Sequence, residues 1–239
     1  MKIKIFFLLY FLCLSIYSQQ FRTTSAIADL DQYYNNNGVA VADYDQDGDL
    51  DIFLVSYHGG NNNSRLLENT NNGNFIDVTA ATGINQNLNH EIDLPSGFYF
   101  GDRLSASWGD FNNDGYPDLF LGNSVQSELY KNNGDGSFAN ITESAGFQVS
   151  CDSCYITGAL WLDYDLDGLL DIFLSDYYSD SPNKLYRNLG NETFELIDLS
   201  SVIENANSFS AINMYVNEDA YPDIYIANDF DQNNMLLIN

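Results

Sequence analysis

The apolar positions of this chain come in short paired runs. One run covers residues 39–42 and its partner 52–55. The pairing returns at 106–109 with 119–121, at 159–162 with 172–174, and at 211–214 with 224–226. Each run has the length of a strand, is enriched in β-branched and aromatic residues, and is bounded by Gly, Asn or Asp. No stretch holds a helical period over three turns. The pattern predicts an all-β chain.

The polar segments between the runs repeat too. DYDQDGDLD starts at Asp43, DFNNDGYPD at Asp110 and DYDLDGLLD at Asp163, with a worn copy, YVNEDAYPD, at Tyr215. A second motif follows each: LLENTNNGNFIDVTAATGI from Leu66, LYKNNGDGSFANITESAGF from Leu129 and LYRNLGNETFELIDLSSVI from Leu185. A fourth instance opens at Leu236 and reaches Asn239. Phe21, Phe75, Phe138 and Phe194 occupy one equivalent position. This places repeats near residues 21–74, 75–137, 138–193 and 194–239, the last incomplete. Several short strands in each unit of about 50–70 residues suit one four-stranded propeller blade per repeat. The expected fold is a β-propeller of about four blades, a partial ring. Residues 85–103 form an insertion in the second repeat, read as a long surface loop.

Composition narrows the setting. Asp and Glu number 34 against 8 Lys and Arg, a net charge of −26. Such a surface repels nucleic acid and anionic membranes, so neither is expected as a partner. The opening MKIKIFFLLYFLCLSIYSQQ has a basic start, an apolar run of about a dozen residues and a small residue before Gln19. It reads as a secretory signal peptide over residues 1–18, with an uncleaved anchor as the alternative. No later segment is apolar enough for membrane insertion. The expected location is secreted or at the cell surface. Cys151 and Cys154 remain after cleavage. In an oxidising compartment a local disulfide is the plain reading, with free thiols the alternative. Zinc would lack ligands, since the only histidines, His58 and His90, each stand alone.

The acidic loops carry the candidate chemistry. Their positions 1, 3, 5 and 9 are oxygen donors: Asp43, Asp45, Asp47 and Asp51; Asp110, Asn112, Asp114 and Asp118; Asp163, Asp165, Asp167 and Asp171. Position 7 varies freely (Asp49, Tyr116, Leu169), as expected where only the backbone carbonyl is used. Position 6 is Gly48, Gly115 and Gly168, where the chain turns sharply. Hard oxygen donors in this number select calcium over softer metals, and three Ca²⁺ sites are expected. An EF-hand would need an acidic residue at position 12 and flanking helices; that position is Leu54, Leu121 and Leu174. The fourth copy keeps Asn217, Asp219 and Asp223 but has Tyr215 first and Ala220 in place of glycine, so weak binding or none is expected there.

These residues resemble a known group. WGDFNNDGYPDLFLGN and ADYDQDGDLDIFLV look like FG-GAP/VCBS-type repeats of integrin α-subunit propellers and bacterial secreted proteins. The paired element LYKNNGDGSFANITESAGF is similar to the repeats of the cartilage acidic protein group. The resemblance implies a β-propeller with calcium held in loops of individual blades. Two function classes follow. The first is a non-enzymatic scaffold for extracellular protein or glycan binding and adhesion, using loops at 56–64, 85–103 and 176–183. Their aromatics Tyr57, Phe98, Tyr99, Tyr177 and Tyr178 suit stacking on sugar rings. The alternative is the propeller portion of an extracellular polysaccharide-degrading enzyme, but no catalytic constellation is legible: neither histidine sits beside a recognisable base or carboxylate pair.

Overall fold

A computed structural model describes residues 36–56, 64–70, 73–84, 92–93, 99–100, 103–124, 127–147, 154–177 and 182–239. The expected leader at residues 1–18, His58, His90 and Cys151 lie outside the described residues, as do Tyr57, Phe98 and Tyr178. Cys154 is buried and disulfide-bonded.

The structure is all-β, as the sequence pattern predicts. Blade I is the sheet β1 (Asn36–Ala42), β2 (Asp51–Ser56), β3 (Arg65–Asn69) and β4 (Phe75–Asp77). Its last strand leads into a single helical turn, α1 (Thr79–Thr82). The insertion contains a two-stranded ribbon, β5 (Ile92–Asp93) with β6 (Tyr99–Phe100), where the sequence suggested only loop. Blade II is β7 (Arg103–Gly109), β8 (Asp118–Asn123), β9 (Glu128–Asn132) and β10 (Phe138–Asn140). Blade III is β11 (Ile156–Leu162), β12 (Asp171–Asp176), β13 (Lys184–Asn188) and β14 (Phe194–Ile197). Blade IV holds three strands, β15 (Ser208–Met214), β16 (Asp223–Asn228) and β17 (Met235–Leu237). Each four-stranded sheet therefore closes with the Phe strand that opens the next sequence repeat.

The sheets are antiparallel meanders, and their first strands stand side by side: β1 against β7, β7 against β11, β11 against β15. Four blades with adjacent inner strands make an open arc of a β-propeller. Every inner strand carries an irregularity at the same place, between residues 36 and 38, 103 and 105, 156 and 158, and 208 and 210. A bulge there increases local twist.

The core lies between blades. Tyr44, Phe53 and Leu66 of blade I pack on Leu119, Leu121 and Tyr130 of blade II. Phe111, Phe120 and Phe147 pack on Ile172, Tyr186 and Phe194 across the next junction. Phe173 and Leu185 meet Ile224 and Ile226 at the last. Burying each such side chain contributes about 1.5–3 kcal/mol. Rings lock the second junction: Phe111 stacks on Trp161 with centroids 6.3 Å apart and planes 12° from parallel. Gly109 makes room for that indole, since a Cβ there would stand 2.8 Å from the Trp161 ring.

Candidate metal centres

Each acidic loop joins the first and second strands of a blade, so all four open at the same end of the sheets. Position 9 is the first residue of the second strand: Asp51, Asp118, Asp171 and Asp223, all buried. Its carboxylate is clamped the same way in every blade. One oxygen accepts the backbone N–H of loop position 2, at 3.1 Å from Tyr44, 3.2 Å from Phe111, 3.0 Å from Tyr164 and 2.8 Å from Val216. The other accepts the N–H of an asparagine in the third strand or just after it, at 2.9 Å from Asn69, 2.8 Å from Asn132, 2.7 Å from Asn188 and 3.0 Å from Asn239. Position 9 thus ties the loop to the sheet.

The rest of each loop curls around position 1. Gly48, Gly115 and Gly168 donate their N–H groups to Asp43, Asp110 and Asp163 at 3.0, 2.9 and 2.9 Å. The glycines have φ of 94°, 94° and 87°, a conformation open to glycine and costly to other residues. Position 4 is also left-handed, at Gln46, Asn113 and Leu166 (φ 63°, 57° and 61°). The worn fourth loop has no residue of positive φ between 215 and 223. It therefore turns differently as well as lacking the first carboxylate.

The structure gathers some of the expected ligands and not others. One carboxylate oxygen from each of Asp43, Asp45 and Asp47 lies within 4.8 Å of the others, and so do oxygens of Asp163, Asp165 and Asp171. Asp51 and Asp167 stand outside those two groups. In loop two, where Asn112 replaces a carboxylate, its amide donates to Asp114 at 2.8 Å. Asn217 does the same to Asp219 at 2.7 Å. Tyr116 and Leu169 donate their N–H groups to Asp114 and Asp167, both at 2.9 Å. Asp49, expected to offer only its carbonyl, also turns a carboxylate oxygen inward. Asp43 Oδ1, Asp49 Oδ2 and Asp165 Oδ1 are buried without a hydrogen-bond partner.

Three features escaped the sequence reading. Arg187 reaches into loop three, its Nη2 2.7 Å from Asp165 Oδ2 and 3.7 Å from Asp167 Oδ2; the equivalent residues are Glu68 and Lys131. The strand-three asparagines also bridge blades. Asn132 Nδ2 donates to Tyr44 O at 2.8 Å, Asn188 Nδ2 to Phe111 O at 2.8 Å and Asn239 Nδ2 to Tyr164 O at 2.5 Å. Last, neighbouring loops touch: Gln46 donates to Gly115 O at 2.6 Å and Asn113 to Gly168 O at 3.0 Å. The asparagine stood in plain view in LLEN, LYKN, LYRN and LLIN. Its repetition was the signal; its reach across the blade junction was not in the one-dimensional pattern.

Burial pushes Asp51, Asp118 and Asp171 up, with facing carboxylates adding to it and the two backbone N–H bonds pulling back. Asp51 and Asp171 rise to about 6 and Asp118 to about 7. Between the ordinary aspartate value near 3.8 and these raised values, the folded chain binds more protons than the unfolded chain. Stability of the metal-free chain therefore falls as pH rises from about 4 to about 7. Asp135, Asp198 and Asp229, held low by Ser137, Ser200 and Tyr177, act in the opposite sense only below that window. The expected result is a higher Tm at pH 5 than at pH 7.5 in chelator, read by circular dichroism. Equal or reversed values would contradict the raised acids.

Residues 110–174 and 163–226 match the family model of the FG-GAP-like repeat. The chain carries FG-GAP-like repeats, which run from the acidic loop of blade II to the second strand of blade IV. Its relatives include cartilage acidic protein 1. The Mus musculus and Homo sapiens proteins are each 27% identical over 169 residues, covering 70% of this chain and 24% and 23% of theirs. The Xenopus tropicalis protein is 25% identical over 161 residues, covering 66% and 22%. The chain thus spans about a quarter of the length of these relatives. Among solved structures it is similar to an Agrocybe aegerita lectin described as recognising non-reducing terminal N-acetylglucosamine, at 17% identity and TM-score 0.46, covering 80% of this chain and 46% of that one. It is also similar to the V. cholerae biofilm matrix protein Bap1, at 16% identity and TM-score 0.33, covering 79% and 34%. Among the described residues no helix is long and apolar enough to cross a membrane.

Proposed function

We propose that this chain is a calcium-stabilised propeller scaffold that works outside the cell, without catalysis, and presents loops to a protein or glycan partner. The observation that carries the metal assignment is the set of buried, unpartnered carboxylate oxygens in loops one and three. A buried anionic oxygen without a donor is costly, and a hard divalent cation supplies what is missing. Asp43, Asp45, Asp47, Asp49 and Asp51 would hold one ion. Asp110, Asn112, Asp114 and Asp118, with the Tyr116 carbonyl, would hold a second. Asp163, Asp165, Asp167 and Asp171, with the Leu169 carbonyl, would hold a third. The metal would offset part of each loop's negative charge and brace the start of the second strand. Arg187 already answers part of the charge in loop three, so loop one, with five carboxylates, is the strongest of the three.

Partner binding falls to the opposite end of the sheets, where the second strands finish. Tyr177 is held there by ring contacts with Tyr155, Phe209 and Phe230 and by its hydroxyl, which donates to Asp229 at 2.8 Å. Phe209 and Phe230 are exposed, and an aromatic shelf held this way suits the apolar face of a sugar or a protein side chain. The test of the scaffold's metal is calorimetric titration of the mature chain with CaCl₂. Three binding events are expected, reduced to two in Asp47→Ala. An absence of heat in the unmodified chain overturns the metal assignment.

A further inference from the structure

Neighbouring acidic loops are joined by one kind of contact, used twice. Position 4 of loops one and two is exposed and left-handed, and its side chain reaches the next blade. Gln46 Nε2 donates to Gly115 O at 2.6 Å, and Asn113 Nδ2 donates to Gly168 O at 3.0 Å. Both acceptors are position 6, the glycine of the turn. The first contact fits closely: a Cβ at Gly115 would lie 3.4 Å from Gln46 Nε2. Loop three does not continue the series. Its position 4 is Leu166, 46% exposed, which has no donor to offer blade IV. The accepting carbonyl belongs to a peptide plane already held on its other side. Tyr116 and Leu169 donate the N–H of that plane to position 5, Asp114 and Asp167, both at 2.9 Å. The next carbonyl along, at position 7, is the one assigned above to the ion.

We propose that the three metal sites bind as a coupled row, in which Gln46 and Asn113 are positioning residues for the site in the next blade. The proposal rests on the metal reading of the loops given above. Position 4 lies between two ligands of its own loop, positions 3 and 5. Closing loop one on an ion fixes the φ of Gln46 and with it the aim of its amide. Gln46 then holds the Gly115–Tyr116 peptide, whose nitrogen is tied to one ligand of loop two and whose chain runs on to another. Asn113 repeats the step toward loop three. Coupling of this kind is reciprocal, so an ion in loop two also favours a filled loop one. A single neutral hydrogen bond sets its size, about two- to tenfold in affinity at each junction. The row ends at loop three, because Leu166 donates nothing.

The experiment is calorimetric titration with CaCl₂ of the chain carrying Asp167→Ala, which leaves loops one and two. Adding Asp114→Ala leaves loop one alone, and adding Asp47→Ala instead leaves loop two alone. The product of the two association constants in the two-site chain is divided by the product of the one-site constants. That quotient is the coupling, whichever loop fills first. It is expected to be about two- to tenfold, and to fall to about one when Gln46→Leu is placed in all the chains. Leucine is tolerated at this position, since Leu166 takes the same left-handed conformation in loop three, with φ 61°. If Asp47→Ala fails to fold by far-ultraviolet dichroism, Asp45→Asn takes its place. A quotient near unity with Gln46 present and both heats measured overturns the coupling and leaves the metal reading standing. A quotient that survives Gln46→Leu overturns Gln46 as its carrier. An absence of heat in every chain overturns both readings.

Discussion

With the proposed metal sites filled, chelation is expected to lower the Tm of the chain by about 15–30 °C. The size follows from linkage. Calcium modules outside cells bind at roughly 10⁻⁴ M or weaker. At a metal concentration about 100-fold above the dissociation constant, each site stabilises the folded chain by about 2.7 kcal/mol. Three sites add to about 8 kcal/mol, and each kcal/mol moves the Tm of a chain this size by about 2–4 °C. The direction follows from the loops themselves. Asp43, Asp45 and Asp47 crowd their oxygens within 4.8 Å, and without a cation their repulsion acts at the start of β2. The loops also touch one another through Gln46 and Asn113, so one strained loop is felt in the next blade. Scanning calorimetry in about 10 mM CaCl₂ against excess chelator measures the effect, at a metal level set from the affinity range above. Magnesium at the same level should recover only a small part, since it keeps its own waters. A Tm unchanged by chelator would leave the loops as solvated turns.

Much of this architecture was legible in one dimension because the chain repeats. Each copy of the loop was read against the others, which separated fixed positions from free ones. Gly48, Gly115 and Gly168 do take the left-handed turn that the motif demanded, and the paired apolar runs do form the first and second strands of each blade. What stayed hidden were contacts set by the arc itself. Asn132 reaches Tyr44, 88 residues away in sequence, and no local pattern announces such a partner. Arg187 was invisible as a loop-three group because its equivalents Glu68 and Lys131 share neither charge nor role. The insertion at 85–103 has no counterpart in the other repeats, so comparison between copies could not reveal its β5–β6 ribbon.

Substitution of Arg103 by alanine is expected to cost about 3–5 kcal/mol, the loss typical of a buried ion pair deprived of one partner. Arg103 and Glu128 are both almost wholly buried, with Nη2 2.9 Å and Nε 3.3 Å from Glu128 Oε2. The carboxylate also accepts from the Tyr130 hydroxyl at 2.9 Å and from Asn123 Nδ2 at 3.4 Å. Those neutral donors cannot balance its charge once the guanidinium is gone. Blade III holds an ion pair that shares one position with this one, its acid standing where Asn123 stands. Lys184 stands where Glu128 stands, and its Nζ lies 3.1 Å from Asp176 Oδ2. Urea unfolding in saturating calcium measures the loss apart from any metal effect. Joining Arg103→Met with Glu128→Leu should recover part of it, since the Glu128 carboxylate is no longer left without its guanidinium. The recovery stays incomplete because Tyr130 and Asn123 lose their hydrogen bonds to Glu128, each worth about 1.5–3 kcal/mol to a charged acceptor. A loss below about 1 kcal/mol for Arg103→Ala would mean that water reaches Glu128 and that the end of β7 opens more readily than its burial implies.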